Sequence, residues 1–455
     1  MLINKSINIL LKKGAVGFFK NISKLSKYPV PNLNIIKKIK ANDSYKIITE
    51  FSFLQFFFWS TWAIYGAYLV YYLTDLGYSN MRIGTLMSIR TFMGLIGPPI
   101  VGYICDRLES RKIVFLISMF LMAVFITPLT FYGDLMLAIS IGIVGFLWEP
   151  QQSVLDSWIL ETSAHTAHNY GFMRAWGSIG FAVIVTVFGQ VIERFGWRAH
   201  FLSYGIIALI VIVIAFSLED NSYDELHKNV NEGNDKNIDT NHSKKLKKDA
   251  EIKAELEDKN IMRLFKNPDY IFILFITLMI FIPNQMVFVY LAPIIKSVGG
   301  NSTDLGYTLF FNAVSEAPIF FVAKYFLEKY KTNSLLLFSA FFYLVRFIIA
   351  ALATSPVYFL FFGMLQSLSF GVFLVTVRYY VKLVAPAALK TTAQSVAMMS
   401  AFGAAGIIGS LLGGYLIDNF GISTMFKVGI FLASAAVLIL AVVVIKDNKS
   451  LENKT

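Results

Sequence analysis

Six charged residues stand inside long apolar runs: Arg90, Glu149, Asp156, Arg174, Glu316 and Arg346. A charge at the middle of a bilayer costs roughly 2.5–3.5 kcal/mol even on insertion scales, so each of them asks for a purpose. Carboxylates in such a place can exchange protons or accept hydrogen bonds from hydroxyls, and guanidiniums can donate to polar groups. Three acids against three bases is the balance expected if they pair within a water-filled interior. Glu149 and Asp156 lie two helical turns apart and share one face. For Arg90 and Glu149 the bland alternative is a structural ion pair or snorkelling toward the interface. The chemistry implied is binding and proton exchange. An intramembrane enzyme would need a clustered His/Asp set or a Ser–His pair, and a receptor would need a folded soluble domain; the sequence offers neither.

The elements that carry these residues are membrane spans. Hydrophobic residues make up 56% of the chain, charged residues 15%, and mean hydropathy is +0.61, the composition of an all-α integral membrane protein. Apolar runs of spanning length fall at 48–73, 83–104, 113–131, 134–157, 170–192, 199–218, 268–295, 305–327, 334–354, 357–380, 391–417 and 422–445, which predicts twelve transmembrane helices. The net charge of +11 sits in loops and tails, where it speaks for orientation rather than for nucleic acid. Arg107, Arg111, Lys112, Lys329 and Lys331, the 244–248 lysines and the tail lysines fall on one side. Both termini are therefore expected in the cytoplasm, with the chain in the cell membrane. A single cysteine, Cys105, excludes an intrachain disulfide, and His165 and His168 have no metal-ligand spacing, so neither metal nor cofactor is expected.

The chain divides into a basic extension (1–46), a six-helix bundle (47–218), a polar linker (219–267) with a helical stretch near 250–259, a second bundle (268–447) and a tail (448–455). The extension reads as an amphipathic segment lying on an anionic leaflet. The two bundles repeat. Residues 188–201 align within 412–426 at an offset of 225, placing Gly189 on Gly414, Glu193 on Asp418, Phe195 on Phe420, Gly196 on Gly421 and Phe201 on Phe426. Asp106-Arg107 recurs at an offset of 222 as Glu328-Lys329, which points to a duplicated six-helix unit. Glycines 403, 406, 409 and 413 are packing material rather than a phosphate loop. Pro98-Pro99 is expected to bend the second span. Trp59, Trp62, Tyr65 and Tyr68 form an aromatic stripe on the first span. Packing is its simplest reading and stacking on a solute the functional one.

The loop GYICDRLESRK resembles the pattern Gly-x-x-x-Asp-Arg-x-Gly-x-Arg-Arg/Lys between the second and third helices of major facilitator superfamily transporters. Gly102, Asp106, Arg107, Arg111 and Lys112 match, while Glu109 stands where the family usually has glycine, which bears on whether the tight turn forms. LDSWILE and NYGFMRAWGSIGFA (169–182) resemble the branch containing lactose permease, nucleoside–proton symporters and phenylpropionate permeases. FLQFFFW (53–59) is closer to the nucleoside symporters and GAY (66–68) to lactose permease. The resemblance, over nearly all of 47–447, implies two pseudo-symmetric six-helix bundles. It implies that Asp156 and Arg174 grip solute hydroxyls with Phe181 stacking on the ring, and that Arg346 is the ninth-span arginine of the coupling machinery. The tenth-span histidine and glutamate of lactose permease fall on Gln366 and Ser369, which carry no proton. Glu316, one turn beyond Asn312, is then placed to inherit the proton role, with Glu149 as a second acid.

These readings combine into a secondary active transporter, a monomer, coupling protons to a small polar solute such as a sugar or nucleoside. Asp156, Arg174, Phe181 and Arg90 would bind the solute; Glu316, Arg346 and Glu149 would couple the proton; Gly102, Asp106, Arg107, Arg111 and Lys112 would latch one side. Two alternatives stay open. In one, Arg90, Arg174 and Arg346 cradle a small carboxylate such as an aromatic acid. In the other, Glu316 and Arg346 are a structural pair within an uncoupled facilitator.

Overall fold

The computed structural model describes residues 43–218 and 261–452, which are helical with no strand among them. The amphipathic reading of the N-terminal extension before Asp43, the 244–248 lysines and the 250–259 helix lie outside the described residues. The helices are α1 (Asp43–Asp75), α2 (Asn80–Leu108), α3 (Arg111–Ile126) and α4 (Asp134–Thr162). The two arms of Tyr170–Ser217 are α5 and α6, followed by α7 (Pro268–Val289), α8 (Ser302–Lys329) and α9 (Thr332–Ala351). The last three are α10 (Val357–Val384), α11 (Lys390–Phe420) and α12 (Ile422–Glu452). Contacts divide the chain between Glu50 and Phe51. The smaller unit contributes the opening turns of α1, with Lys46 and Glu50 3.9 Å apart; the larger unit, residues 51–455, holds the helical bundle.

Short polar side chains fix where the helices begin. Ser79 accepts from the Arg82 amide to open α2, and Ser110 from the Ile113 amide to open α3. Asn267 receives the Asp269 amide ahead of Pro268 in α7, and Asn301 forms a reciprocal capping box with Asp304 at α8. Two expectations about boundaries need correction. The fifth and sixth spans are not parted by a loop, because Gly196 alone, at φ 73°, reverses the chain. The seventh span ends at Val289, and a separate short helix, Leu291–Ser297, completes the stretch.

With α5 and α6 counted together, seven of the described helices are long and apolar enough to cross a membrane by length and composition. The four outside that set, α1, α2, α4 and α8, are those that bear Gln55, Arg90, Glu149 with Asp156, and Glu316. A bilayer admits such residues only where protein or enclosed water solvates them.

The two six-helix halves meet along α2 with α11 and α5 with α8. At the end bearing the 76–79 and 298–301 turns they are joined by a clasp that repeats about a pseudo-two-fold axis. The Tyr68 hydroxyl donates to the Val185 carbonyl (2.5 Å) and reaches Ser302 O (3.4 Å). Its counterpart 222 residues on, Tyr290, donates to Ser410 O (2.5 Å) and reaches Asn80 O (3.0 Å). Glu193, closing α5, accepts from the Ser302 amide (3.1 Å) and hydroxyl (2.6 Å) at the start of α8. Asp418, closing α11, accepts from the amides of Asn80 (3.0 Å) and Met81 (2.7 Å) at the start of α2. Each half thus caps a helix of the other with a carboxylate, where the helix dipole favours negative charge. Lys296 and Asp75 add an ion pair. The backbones come this close only because Gly84, Gly189, Gly306 and Gly414 lack a Cβ; at Gly84 one would lie 2.3 Å from Ser410 O, and at Gly306 2.6 Å from Val185 O.

Candidate functional site

In the first half the site grows out of α1, α4 and α5. Gly177 and Gly180 let α5 press on α1: a Cβ at Gly180 would sit 2.3 Å from Phe56 O, and one at Gly177 2.4 Å from the Trp59 ring. Trp59 is thereby held against α5, and the Arg174 guanidinium, one turn from Gly177, lies 4.1 Å from the centre of its ring. Asp156 approaches from α4, accepting from Gln55 Nε2 (3.3 Å). Gln55 Oε1 in turn accepts from Trp59 Nε1 (3.1 Å). Asp156 and Arg174 form no ion pair with each other. Phe181 is half-buried two turns along α5 from Arg174, with no ring partner among the described residues.

Arg90 projects from α2 over the Trp62 ring, 5.0 Å from its centre. Trp62 and Phe58, one turn apart on α1, both stack on Trp148 of α4, at 4.3 Å and 5.0 Å. Glu149 is exposed beside Gly94 of α2, near Arg90 but not bonded to it.

In the second half the centre lies where α10 loosens into a π-helical turn, Ser367–Gly371. Arg346 of α9, 2% exposed, donates through Nε to the Phe362 carbonyl (3.0 Å) and through Nη1 to Ser369 Oγ (2.9 Å). Its guanidinium also rests 3.9 Å from the Phe362 ring centre. Glu316 of α8 accepts from Gln366 Nε2 at 2.7 Å. The two residues unable to carry a proton are therefore the hydrogen-bond partners of the pair assigned to coupling. A π turn widens the helix and re-aims adjacent side chains, and such turns recur at functional sites.

The expectation that the six interior charges pair as ions is corrected by this geometry. Among the described residues none of Arg90, Arg174 and Arg346 forms a salt bridge with Glu149, Asp156 or Glu316. Each arginine lies on an aromatic face instead, a contact worth about 0.5–2 kcal/mol that leaves the carboxylates open to other partners. Tryptophans expected to be packing or to stack on a solute thus also carry cations.

The Gly102–Lys112 stretch is pinned to its own half. Arg111 reaches Asp106 (3.1 Å) and Glu161 of α4 (3.3 Å), while Lys112 donates to the carbonyls of Phe216 (2.9 Å) and Leu218 that end α6. Arg107 is exposed and Gly102 has no neighbour within 4 Å of a built Cβ. The tight turn forms without the family's glycine: Glu109 itself takes the left-handed conformation, φ 50° and ψ 25°. That conformation costs a residue with a Cβ about 1 kcal/mol. Glu109→Gly is accordingly expected to raise the melting temperature of the purified protein; an unchanged or lower value would mean that the glutamate side chain compensates for its strain.

Sequence reading missed Gln55. It is fully buried and joins Trp59 to Asp156, and the only signal was a lone amide in an otherwise apolar run, FLQFFFW.

Known proteins share both the sequence pattern and the fold. The profile of the MFS_1 like family matches residues 48–428. The chain is 23% identical over 409 residues to the maltose permease of Geobacillus stearothermophilus, covering 89% of this chain and 95% of that one. It is 27% identical over 150 residues to the sucrose permease of Escherichia coli, covering 31% of this chain and 36% of that one. Among solved structures, that of the nucleoside transporter NupG is similar with a TM-score of 0.69 at 16% identity, over 87% of this chain and 98% of that one.

Proposed function

The chain belongs to the MFS_1-like family of major facilitator transporters, and from that premise we propose that it carries a sugar or nucleoside across the cell membrane by alternating access, coupled to protons. That it is a multi-pass membrane transporter of small solutes, not an enzyme, follows from the family and its relatives. The finer reading rests on one observation: Asp156 and Arg174, carried by different helices, are tied to one polar cluster through Gln55 and Trp59 without bonding to each other. An acceptor and a bidentate donor left apart in this way suit neighbouring hydroxyls, which can bridge them by giving to one and taking from the other. Phe181 offers a ring further along α5. Relatives that are permeases for maltose and sucrose, and a structural neighbour that transports nucleosides, support the same class. A cradle of three arginines for a carboxylate is disfavoured because the Arg346 donors Nε and Nη1 are committed to Phe362 and Ser369.

Basic residues concentrate at the Asp106 end, with Arg107, Arg111, Lys112, Arg378, Lys382 and Lys390, so we assign that end and both termini to the cytoplasm. The clasp then seals the outside and this conformer is inward-facing. The moving bodies are residues 47–218 and 268–447, linked by 219–267, and one copy contains both, so a monomer suffices. Glu316 would take up and release the proton, with Arg346, Gln366 and Ser369 setting its surroundings and Glu149 as a second acid. The Asp106–Arg111 loop would meet the other half when the inner end closes.

The test is thermal unfolding of the detergent-purified protein against a panel of sugars, nucleosides and aromatic acids. A solute that binds only the folded state raises the melting temperature by mass action, by about 2.7 kcal/mol of stability at a hundredfold excess over Kd. Stabilisation by a neutral polyol or nucleoside, lost in Asp156→Asn, is expected. Stabilisation by carboxylates that survives Asp156→Asn would overturn this reading.

A further inference from the structure

Gln55 is a buried amide whose orientation is fixed by chemistry. An indole N–H can only donate, so the Gln55 atom facing Trp59 Nε1 is the carbonyl oxygen. The amino group must then face α4, where Asp156 Oδ1 receives it at 3.3 Å. Gln55 and Trp59 are one helical turn apart on α1, and Trp59 is the ring on which Arg174 rests, at 4.1 Å. Acid, amide, indole and guanidinium thus form a continuous chain across three helices, and both ends of it are the residues assigned to the solute.

We infer that Gln55 is a positioning residue of the solute site, holding Asp156 through its amino group and the Trp59–Arg174 stack through its carbonyl. The inference rests on the proposed reading of Asp156 and Arg174 as the solute-binding pair. Fully buried within this chain, Gln55 acts through those two side chains. It occupies one carboxylate oxygen of Asp156 and leaves the other for an incoming hydroxyl. It also keeps the Trp59 ring from turning away and releasing Arg174 toward Asp156. Were that ion pair to close, the solute would have to break it, and affinity would fall. Gln55 thereby keeps acid and base apart, which is the geometric feature on which hydroxyl binding depends. The bland account, a polar side chain merely satisfied in the core, explains the two hydrogen bonds but predicts no effect on affinity beyond stability.

The test uses Gln55→Leu, which keeps the bulk and removes both hydrogen bonds, alone and combined with Asp156→Asn. With the full chain in detergent, Kd is measured for the panel solute that stabilises the unaltered protein, beside melting temperatures without solute. Gln55→Leu is expected to raise Kd about tenfold, the effect of losing one hydrogen bond to a charged group. Without solute, the losses of stability from Gln55→Leu and Asp156→Asn should be clearly less than additive, because the two side chains share a bond. An unchanged Kd with lowered stability would overturn the inference in favour of a structural role, as would strict additivity. If no panel solute binds even the unaltered protein, the solute reading fails. The solute-free cycle then separates what is left: additivity sinks the Gln55–Asp156 linkage as well, and non-additivity leaves that linkage as a structural one, so the positioning role falls with the solute site.

Discussion

Gly84→Ala combined with Gly306→Ala is expected to open the clasped end. A Cβ at Gly84 would lie 2.3 Å from Ser410 O and 2.4 Å from the Tyr290 hydroxyl; one at Gly306 would lie 2.6 Å from both Val185 O and the Tyr68 hydroxyl. Backbone carbonyls on rigid helices cannot step aside, so the cheapest relief is for the halves to separate there. Overpacking of this kind costs about 1–3 kcal/mol at each site. Because the clasp exists only when this end is closed, the cost falls on that state alone and shifts the equilibrium by about a hundredfold. A cysteine at Thr91, facing Gly406 across the α2–α11 contact, reports the change in a Cys105→Ala background. Its alkylation by an impermeant maleimide added from the outside should rise steeply. Gly133→Ala is the control, since that glycine lies at the same end with φ −75° and nothing within 4 Å. A folded double variant whose labelling stays at the control level would mean that these contacts do not hold the end shut.

The clasp also marks what could and could not be read from the chain. The repeat was legible, and its aligned pairs Glu193/Asp418, Gly189/Gly414 and Gly196/Gly421 take equivalent places in the two halves. Their role was not legible, because each acid caps a helix more than a hundred residues away, and one sequence does not encode such distances. The helical spans, though not all their boundaries, were legible because a bilayer imposes length and hydropathy locally, and Glu109 shows that a left-handed turn can outlast the loss of its glycine. Pairing was the weak step. Opposite charges suggested ion pairs, but which face of a helix meets which neighbour depends on glycines such as Gly177 and Gly180, and these brought Trp59 to Arg174 instead. Gln366 and Ser369 stand out in the sequence for what they lack, a titrating proton, whereas in the fold one donates to Glu316 and the other accepts from Arg346.

Glu316→Gln is expected to abolish uphill accumulation of the solute while solute exchange down its own gradient continues. The substitution is mild in structure: the new amide oxygen can still accept from Gln366 Nε2, which now bonds Glu316 at 2.7 Å, and volume is nearly unchanged. What disappears is the titratable carboxyl bonded to the π turn's edge on α10. Arg346→Ala would be a poor substitute test, because the Phe362 carbonyl and the Ser369 hydroxyl would lose their buried donor at about 1–3 kcal/mol each, confounding coupling with folding. Proteoliposomes with an imposed pH gradient separate the two quantities. If Glu316 is the proton carrier, the variant equilibrates solute without concentrating it, and counterflow proceeds near the unaltered rate. If accumulation persists, the proton travels by another acid, and Glu149, exposed on α4 beside Gly94, is the next to replace. If the unaltered protein itself never accumulates solute under a pH gradient, Glu316 and its amide partner are a structural element of a facilitator, and the coupling reading falls while the Asp156–Arg174 site stands.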